Sequence, residues 1–487
     1  MNVLKYAAET FLFVPFAAIV INNVFSKKMM EKCFHLLTGA VALSQIFATL
    51  FCIYSMDARG MSRFEFFMLE ELYENDREFF CLTPVTLIFL LCIGIVAFVS
   101  VMVAKKTIDA KKTSYVNLLM TLIIGMNGMV MVNDFFSLYV FLDVVGLSSF
   151  VLIAMFRSRK SLEGSIKYII ISELATIFIL TGLAFLFMQT GSLDYMDLNS
   201  SLLQNSSEPQ TMLLSLSLIL ILSGFFVKAG AVPFHSWLPD AHQSADTSIS
   251  ILLSGIVIKI AGIYGIYVLT DLFSGVKAIQ TALAAIGILS IVAGALLALC
   301  QSHFKRMIAY SSVSQMGYIL LALSTGTTLG VVAAVAHVFS HALFKSTLFV
   351  NAAAIHEQAG TLEMDEMGGL EHRMPVTSFS SVIAFLSTAG IPPLTGFWSK
   401  LLIILALWTA GNPVLAGVAL CASIFTSAYF LRMQKKVFFG KTPEHLASVR
   451  EVSGSIKIIE IILTAITTLI GILFPLVLIF LQSRGIL

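Results

Sequence analysis

The run Ser223-Gly-Phe-Phe-Val-Lys228-Ala-Gly-Ala-Val-Pro233-Phe-His235-Ser-Trp-Leu-Pro239-Asp240-Ala-His242 decides how this chain is built. It closes an apolar stretch that begins near Thr211, and it puts a lysine, two prolines and two histidines where a membrane helix normally carries none. Pro233 removes a backbone donor and clashes with the preceding turn, so a helix entering here breaks about one turn past Lys228. Membrane transporters make room for ions at mid-depth with such breaks, where freed carbonyls and water gather. A charged amine at that depth costs about 2.5–3.5 kcal/mol on insertion scales and is rarely left there without a use.

The rest of the chain supplies the membrane. Hydrophobic residues make up 58% of it and charged residues 12%, against about 25% charged in a soluble domain. With a mean hydropathy of +0.92, this reads as an all-α polytopic membrane protein surrounded by lipid bilayer. The net charge of +2 is uninformative about partners, and no segment has the composition of a nucleic-acid binder. Six scattered cysteines without a Cys-x-x-Cys pair offer no iron–sulfur or zinc framework. The chain is therefore expected to hold no metal or cofactor and to have no redox chemistry of its own. The first apolar run, about 11–25, lacks a basic leader and a small-residue cleavage site, so no cleavable signal is expected.

Apolar runs of about 20 residues give fourteen candidate spans. They start near Thr10, Phe34, Leu82, Ser114, Phe135, Leu162, Thr211, Asp246, Ala278, Arg306, Leu329, Val376, Pro413 and Lys457. Most of the 30 lysines and arginines then fall in the odd-numbered loops, among them Lys27-Lys28, Lys105-Lys106, Lys111-Lys112, Arg157, Arg159, Lys160 and Lys435-Lys436. The positive-inside rule places those loops in the cytoplasm and both termini outside, in a cell (inner) membrane. The opposite loops are acidic or neutral, as in 65–78 and 194–208.

Inside the spans lies a row of ionisable residues. Lys228 is joined by Lys259, by Lys345 and by Lys400, which follows the second double break Gly390-Ile-Pro392-Pro393-Leu-Thr-Gly396-Phe-Trp-Ser-Lys400. Two interrupted helices in corresponding halves, each with a lysine, point to an inverted-repeat transporter. Asp143, in Tyr139-Val-Phe-Leu-Asp143-Val-Val-Gly146, is the natural partner of Lys228, because buried charges are expensive unless paired. A lysine whose carboxylate approaches or withdraws has a switchable proton affinity; the alternative is a static pair that locks two helices. His337, His341 and Lys345 are spaced four apart and share one helical stripe. That spacing suits a proton relay, and without a third ligand it suits a metal poorly. Ser248, Ser250, Ser254, Ser311, Ser312 and Ser314 either line a hydrated path or glue helices together. Glu173 faces the same interior or satisfies a neighbouring hydroxyl, and His235 is a further candidate. Lys400 is an outlet or a snorkelling side chain.

With these motifs in view, the chain resembles the antiporter-like proton-conducting subunits shared by respiratory complex I, Mrp-type sodium/proton antiporters and membrane-bound hydrogenases. The resemblance runs from about residue 114 to 440. It rests on Lys228 with the 233–242 run, Lys259, His341-Ala-Leu-Phe-Lys345, and Gly390 through Lys400. It implies fourteen core helices, peripheral over 1–113, with inverted five-helix repeats over 114–271 and 272–436, then a connector and last helix over 437–487. It further implies that Lys228 switches against the acid of helix five, that Lys259 and the helix-eleven residues relay protons, and that Lys400 is the outlet. The family usually has Glu where this chain has Asp143, one methylene shorter, which lengthens or water-bridges the pair. The Gly396-Phe-Trp-Ser-Lys400 wording is similar to that of hydrogenase-linked members. The implied partners are other membrane subunits and peripheral redox subunits of an oxidoreductase complex. A gradient-driven sodium/proton antiporter subunit is the alternative, and a structural membrane anchor is a third reading.

Overall fold

Lipid offers no hydrogen bonds, so each apolar run must satisfy its backbone within itself, and helices result. In a computed structural model, residues 2–25, 27–66, 79–204 and 212–483 are described. The acidic stretches at 67–78 and 205–211 lie outside them. The peripheral helices are α1 (Asn2–Val24), α2 (Lys27–Ala58) and α3 (Pro84–Thr107). A three-residue ladder, β1 (Phe64–Phe66) against β2 (Phe80–Leu82), joins α2 to α3 with Phe64 opposite Leu82.

Next come α4 (Lys112–Met131), α5 (Phe135–Ala154), α6 (Arg159–Thr190), the short α7 (Tyr195–Gln204), α8 (Met212–Lys228) and α9 (Trp237–Ser244). One long run over Thr247–Leu272 starts as α10 (Thr247–Leu252), widens into π turns at Leu253–Val257 and Lys259–Tyr264, and ends as α11 (Gly265–Leu272). Then follow α12 (Lys277–Leu299), α13 (Phe304–Leu323), α14 (Thr328–Ala359), α15 (Pro375–Ala389), α16 (Thr395–Thr409), α17 (Pro413–Val437) and α18 (Ser455–Ser483).

Among the described residues, eleven helices are long and apolar enough to cross a membrane, and α8, α15 and α16 are shorter apolar helices. Polar caps set several starts: Thr83, Asp134, Ser158 and Thr327 each accept a hydrogen bond from a backbone N–H in the first turn. The first two helices begin earlier than hydropathy suggested, because polar first turns over 2–9 and 27–33 continue the helix beyond the apolar run.

Both expected breaks are present, and the first comes sooner than Pro233 alone requires. α8 stops at Lys228 itself, because Gly230 takes a left-handed φ of +65° before the proline is reached. The Trp237 indole Nε1–H then donates to the Val227 carbonyl at 3.2 Å, which satisfies one acceptor freed by the break. At the second break Gly390, with φ +86°, ends α15 before Pro392, and Ser387 Oγ accepts from Gly396 N at 3.2 Å.

Contacts between loops sort them onto two faces. On one face, Lys106 pairs with Glu357 at 3.9 Å, Lys436 pairs with Asp365, and Arg306 pairs with Asp240 at 2.5 Å. Thr107 also donates to Asp246 there, at 2.8 Å. On the other face, Arg63 donates to Asn133 at 3.3 Å, and bridges link Phe80 to Val132 and Asp134 to Asp194.

Candidate functional site

Lys228 ends α8, which packs on α6, and the amine reaches across to that helix. It is 5% exposed, and its Nζ donates to Ser172 Oγ at 2.7 Å. Gly146 of α5 closes the third side: a Cβ there would stand 3.4 Å from Nζ and 3.5 Å from Ser172 Oγ. A direct Lys228–Asp143 ion pair is not formed. Asp143 and Glu173 are half-buried, and Asp143 Oδ1 and Glu173 Oε1 have no protein hydrogen-bond partner. Glu173 follows Ser172, which accepts from Lys228, and Asp143 stands one turn before Gly146 at the third side of the amine. Glu173, the least decided residue in the sequence, thus belongs to this cluster. The shorter Asp143 leaves the lysine to a hydroxyl.

The π turns carry Lys259 into the centre. Gly262 makes this possible, since a Cβ there would collide with the Ala229 backbone just past Lys228. Lys259 is fully buried and its Nζ has no protein partner. Val257, Ile258 and Ala261 around it wall the cavity at Lys228. π turns inside α-helices often mark functional sites. Ser254, one turn before Lys259, meets Ser312 of α13 at 3.0 Å.

Further along, Lys345 of α14 is fully buried and donates to the Ile308 carbonyl at 2.9 Å and to Ser311 Oγ. His341 and His337 follow one turn apart, their ring centroids 6.5 Å from each other. Both nitrogens of His341 lack a protein partner, and His337 Nδ1 lies 3.0 Å from Ser399 Oγ of α16. Lys400, on the next residue of α16, sits 4.5 Å above the Tyr318 ring and 3.4 Å from Ser423 Oγ. A lysine amine is attracted to the face of an aromatic ring. Lys400 is 3% exposed, so it does not snorkel within this chain. His235 is half-buried at the first break, beside the Tyr310 ring at 6.0 Å. Among the described residues no group of three or more His, Cys, Asp or Glu is arranged to hold a metal.

Further groups stand along the row: Lys305 and Tyr318 were not singled out in the sequence, and His242 and Asp240 lie in the opening run without an assigned role. Lys305 is 3% exposed and donates to the Ala245 carbonyl at 2.6 Å. His242 is fully buried against the Phe349 ring at 5.0 Å, with neither ring nitrogen partnered. Tyr318 lies between His337 and Lys400. At the basic face Asp240 accepts from both Lys167, at 2.8 Å, and Arg306. In the loop before α13, burial and then the nearby Lys305 and Arg306 push His303 down to about 4.

Residues 132–426 match the family described as NADH:quinone oxidoreductase/Mrp antiporter, membrane domain. The chain belongs to this family. It is 34% identical over 323 residues to NADH-quinone oxidoreductase subunit N of Desulforudis audaxviator, a match covering 66% of this chain and 64% of that protein. It is 30% identical over 382 residues to a subunit of the Na(+)/H(+) antiporter of Alkalihalophilus pseudofirmus, covering 78% and 77%. Among solved structures, a chain of the membrane-bound sulfane sulfur reductase, an archaeal respiratory membrane complex, superimposes with a TM-score of 0.87. It is 28% identical, and the match covers 100% of this chain and 97% of that one. Family members of this kind are subunits of multi-subunit membrane complexes, and this chain is an antiporter-like integral membrane protein.

Proposed function

We propose that the chain carries ions, protons foremost, along this row, as the antiporter-like subunit of a redox-driven complex in the cell membrane. The observation that carries the reading is that buried ionisable groups in the middle of the row make no bond between helices. A lysine kept only to hold helices together would have a partner, whereas Lys259 Nζ and both nitrogens of His341 have none. Buried polar groups of this kind are satisfied by water, and water between titratable groups conducts protons. Lys228 switches with Glu173 and Asp143, Lys259, Lys345, His341 and His337 relay, and Lys400 releases. Moving one charge against 100 mV costs about 2.3 kcal/mol, within reach of one switched interaction between buried charges.

The architecture we propose has fourteen crossings: the eleven long apolar helices, α13, and the broken pairs α8/α9 and α15/α16. Inverted repeats span 114–271 and 272–436, flanked by 1–113 and 437–487. In support, each half packs its broken helix on a 32-residue helix, α8 on α6 and α16 on α14. The face rich in Lys106, Arg306 and Lys436 is cytoplasmic by the positive-inside rule, which puts both termini outside. Other membrane subunits and peripheral redox subunits are the partners, as in the complexes of the relatives. The likeness to part of an Na(+)/H(+) antiporter favours a second reading, gradient-driven sodium/proton exchange. Driven proton uptake by vesicles holding the Lys228→Met complex tests the proposal. Uptake should fall to background at unchanged complex level, and parental uptake would overturn it. Sodium-dependent uptake without redox substrate would favour the second reading.

A further inference from the structure

Among the described residues outside the lysine row, one carboxylate is completely buried. Glu460 of α18 is 0% exposed, five residues past the helix start on the face assigned to the cytoplasm. Its Oε2 lies 3.2 Å from Thr377 Oγ1. That hydroxyl also lies 2.8 Å from Oε1 of the half-buried Glu451. Glu451 in turn accepts from the Val376 backbone N–H at 2.6 Å and from the Thr377 N–H at 3.4 Å, at the start of α15. Two backbone donors at the N-terminus of α15 thus converge on Glu451.

The hydrogens of this trio can then be counted. A threonine hydroxyl has one proton to give, and the shorter contact sends it to Glu451. The Thr377 oxygen is left as an acceptor toward Glu460, so Glu460 must supply the proton of that bond. On its other side Glu460 Oε1 lies 2.9 Å from Asn351, whose amide nitrogen, turned toward it, donates. In that orientation the Asn351 oxygen accepts from Ser381 N at 3.1 Å. Each polar atom of Glu460 is thereby satisfied with the side chain as a neutral acid. Lys457 stands three residues before Glu460 on α18.

From this acid a polar seam runs toward the row. Asn351 contacts Ser380 at 3.1 Å, and Gln434 Nε2 of α17 donates to Ser381 Oγ at 2.6 Å. All four residues are buried, and Gln434 Oε1 points on without a protein partner. Gln434 is one turn from Phe430, whose ring lies 6.0 Å from Lys345 Nζ.

We infer that Glu460 is a proton-loading acid that connects the cytoplasmic face, through Glu451 and Thr377, to Lys345. A proton taken up by Glu451 is passed to the Thr377 oxygen, while the Thr377 hydroxyl proton moves to Glu460. Glu460 gives its proton toward the Lys345 amine through the hydroxyl-lined seam. The resulting carboxylate is held by Asn351 and Thr377 until the next proton arrives. This deepens the proton-conducting reading and rests on it.

The test uses the whole complex in membrane vesicles, with Glu460→Gln and Lys228→Met measured side by side. Glu460→Gln keeps the shape of the neutral acid. It should assemble at the parental level, lose a protonated-carboxyl band from the infrared spectrum, and cut driven proton uptake at least tenfold. Thr377→Val should cut uptake in the same way with Glu460 intact, which covers the case in which Glu460→Gln fails to assemble. An infrared spectrum unchanged by Glu460→Gln would overturn the inference, and so would parental uptake by Thr377→Val. Parental uptake by Glu460→Gln beside an inactive Lys228→Met would overturn this intake alone. Parental uptake by Lys228→Met would bring down the conducting role of the row.

Discussion

Gly146→Ala should separate transport from folding. Gly146 lies within α5, and alanine in a helix is favoured over glycine by about 1 kcal/mol, so the variant should fold and assemble at least as well as the parent. The added methyl stands 3.4 Å from Lys228 Nζ and 3.5 Å from Ser172 Oγ, an ordinary contact that forces nothing to move. It does cover the amine. Lys228 has three donors, and Ser172 takes one of them; a methyl in contact with the amine narrows the room for water to take another. Losing one hydrogen bond to a charged group costs about 1.5–3 kcal/mol. At 1.36 kcal/mol per factor of ten, driven proton uptake should drop roughly ten- to hundredfold. The assay is acidification of inverted vesicles, normalised to assembled complex. Gly417→Ala, whose Cβ would meet nothing within 4 Å, controls for helix propensity and should pump normally. Undiminished uptake by Gly146→Ala would refute the argument that access to Lys228 Nζ limits transport.

Three further outcomes follow from the same geometry. Asp143→Glu should keep activity, since the longer side chain reaches farther toward Lys228, while Asp143→Ala should lose most of it; equal vesicle uptake by both would remove Asp143 from the site. Lys400→Ala should stop net uptake, whereas Lys400→Glu, still able to carry a proton, should retain a measurable part; full uptake by Lys400→Ala would exclude it as the outlet. With Cys300 and Cys421 replaced by serine, a cysteine at the exposed Ala110 should be labelled only from the cytoplasm and one at Asn199 only from outside, and labelling of both from one side would overturn the topology.

The helices and their interruptions were readable because lipid imposes apolar length and proline imposes a stop. Depth and facing were less so. Lys305 stands beside Arg306 at the mouth of a span, and in sequence the pair resembles a solvated basic loop; only the packing of α9 and α13 shows one side chain pointing in and the other out to Asp240. Glu460 stands three residues after Lys457 and reads like a surface pair, yet α18 turns it toward α14 and α15. The first hydrogen-bond partner of Lys228 was hidden for a related reason. Sequence identifies the available charges, whereas the rotation of α6 decides that Ser172 meets the amine first. The π turns around Lys259 had no local marker, because Gly255 and Gly262 allow close packing without requiring a wider turn. His242 was visible in the first break, but its burial against Phe349 comes from a helix more than 100 residues away.

The most direct test of the conducting row is Lys259→Met. Lys259 is fully buried and makes no protein hydrogen bond, so an apolar side chain of similar length removes no contact and should leave assembly intact. Its only loss is a titratable group at the centre of the path. The account predicts a normal amount of complex with driven proton uptake at background. A normal amount of complex that pumps at the parental rate would contradict it.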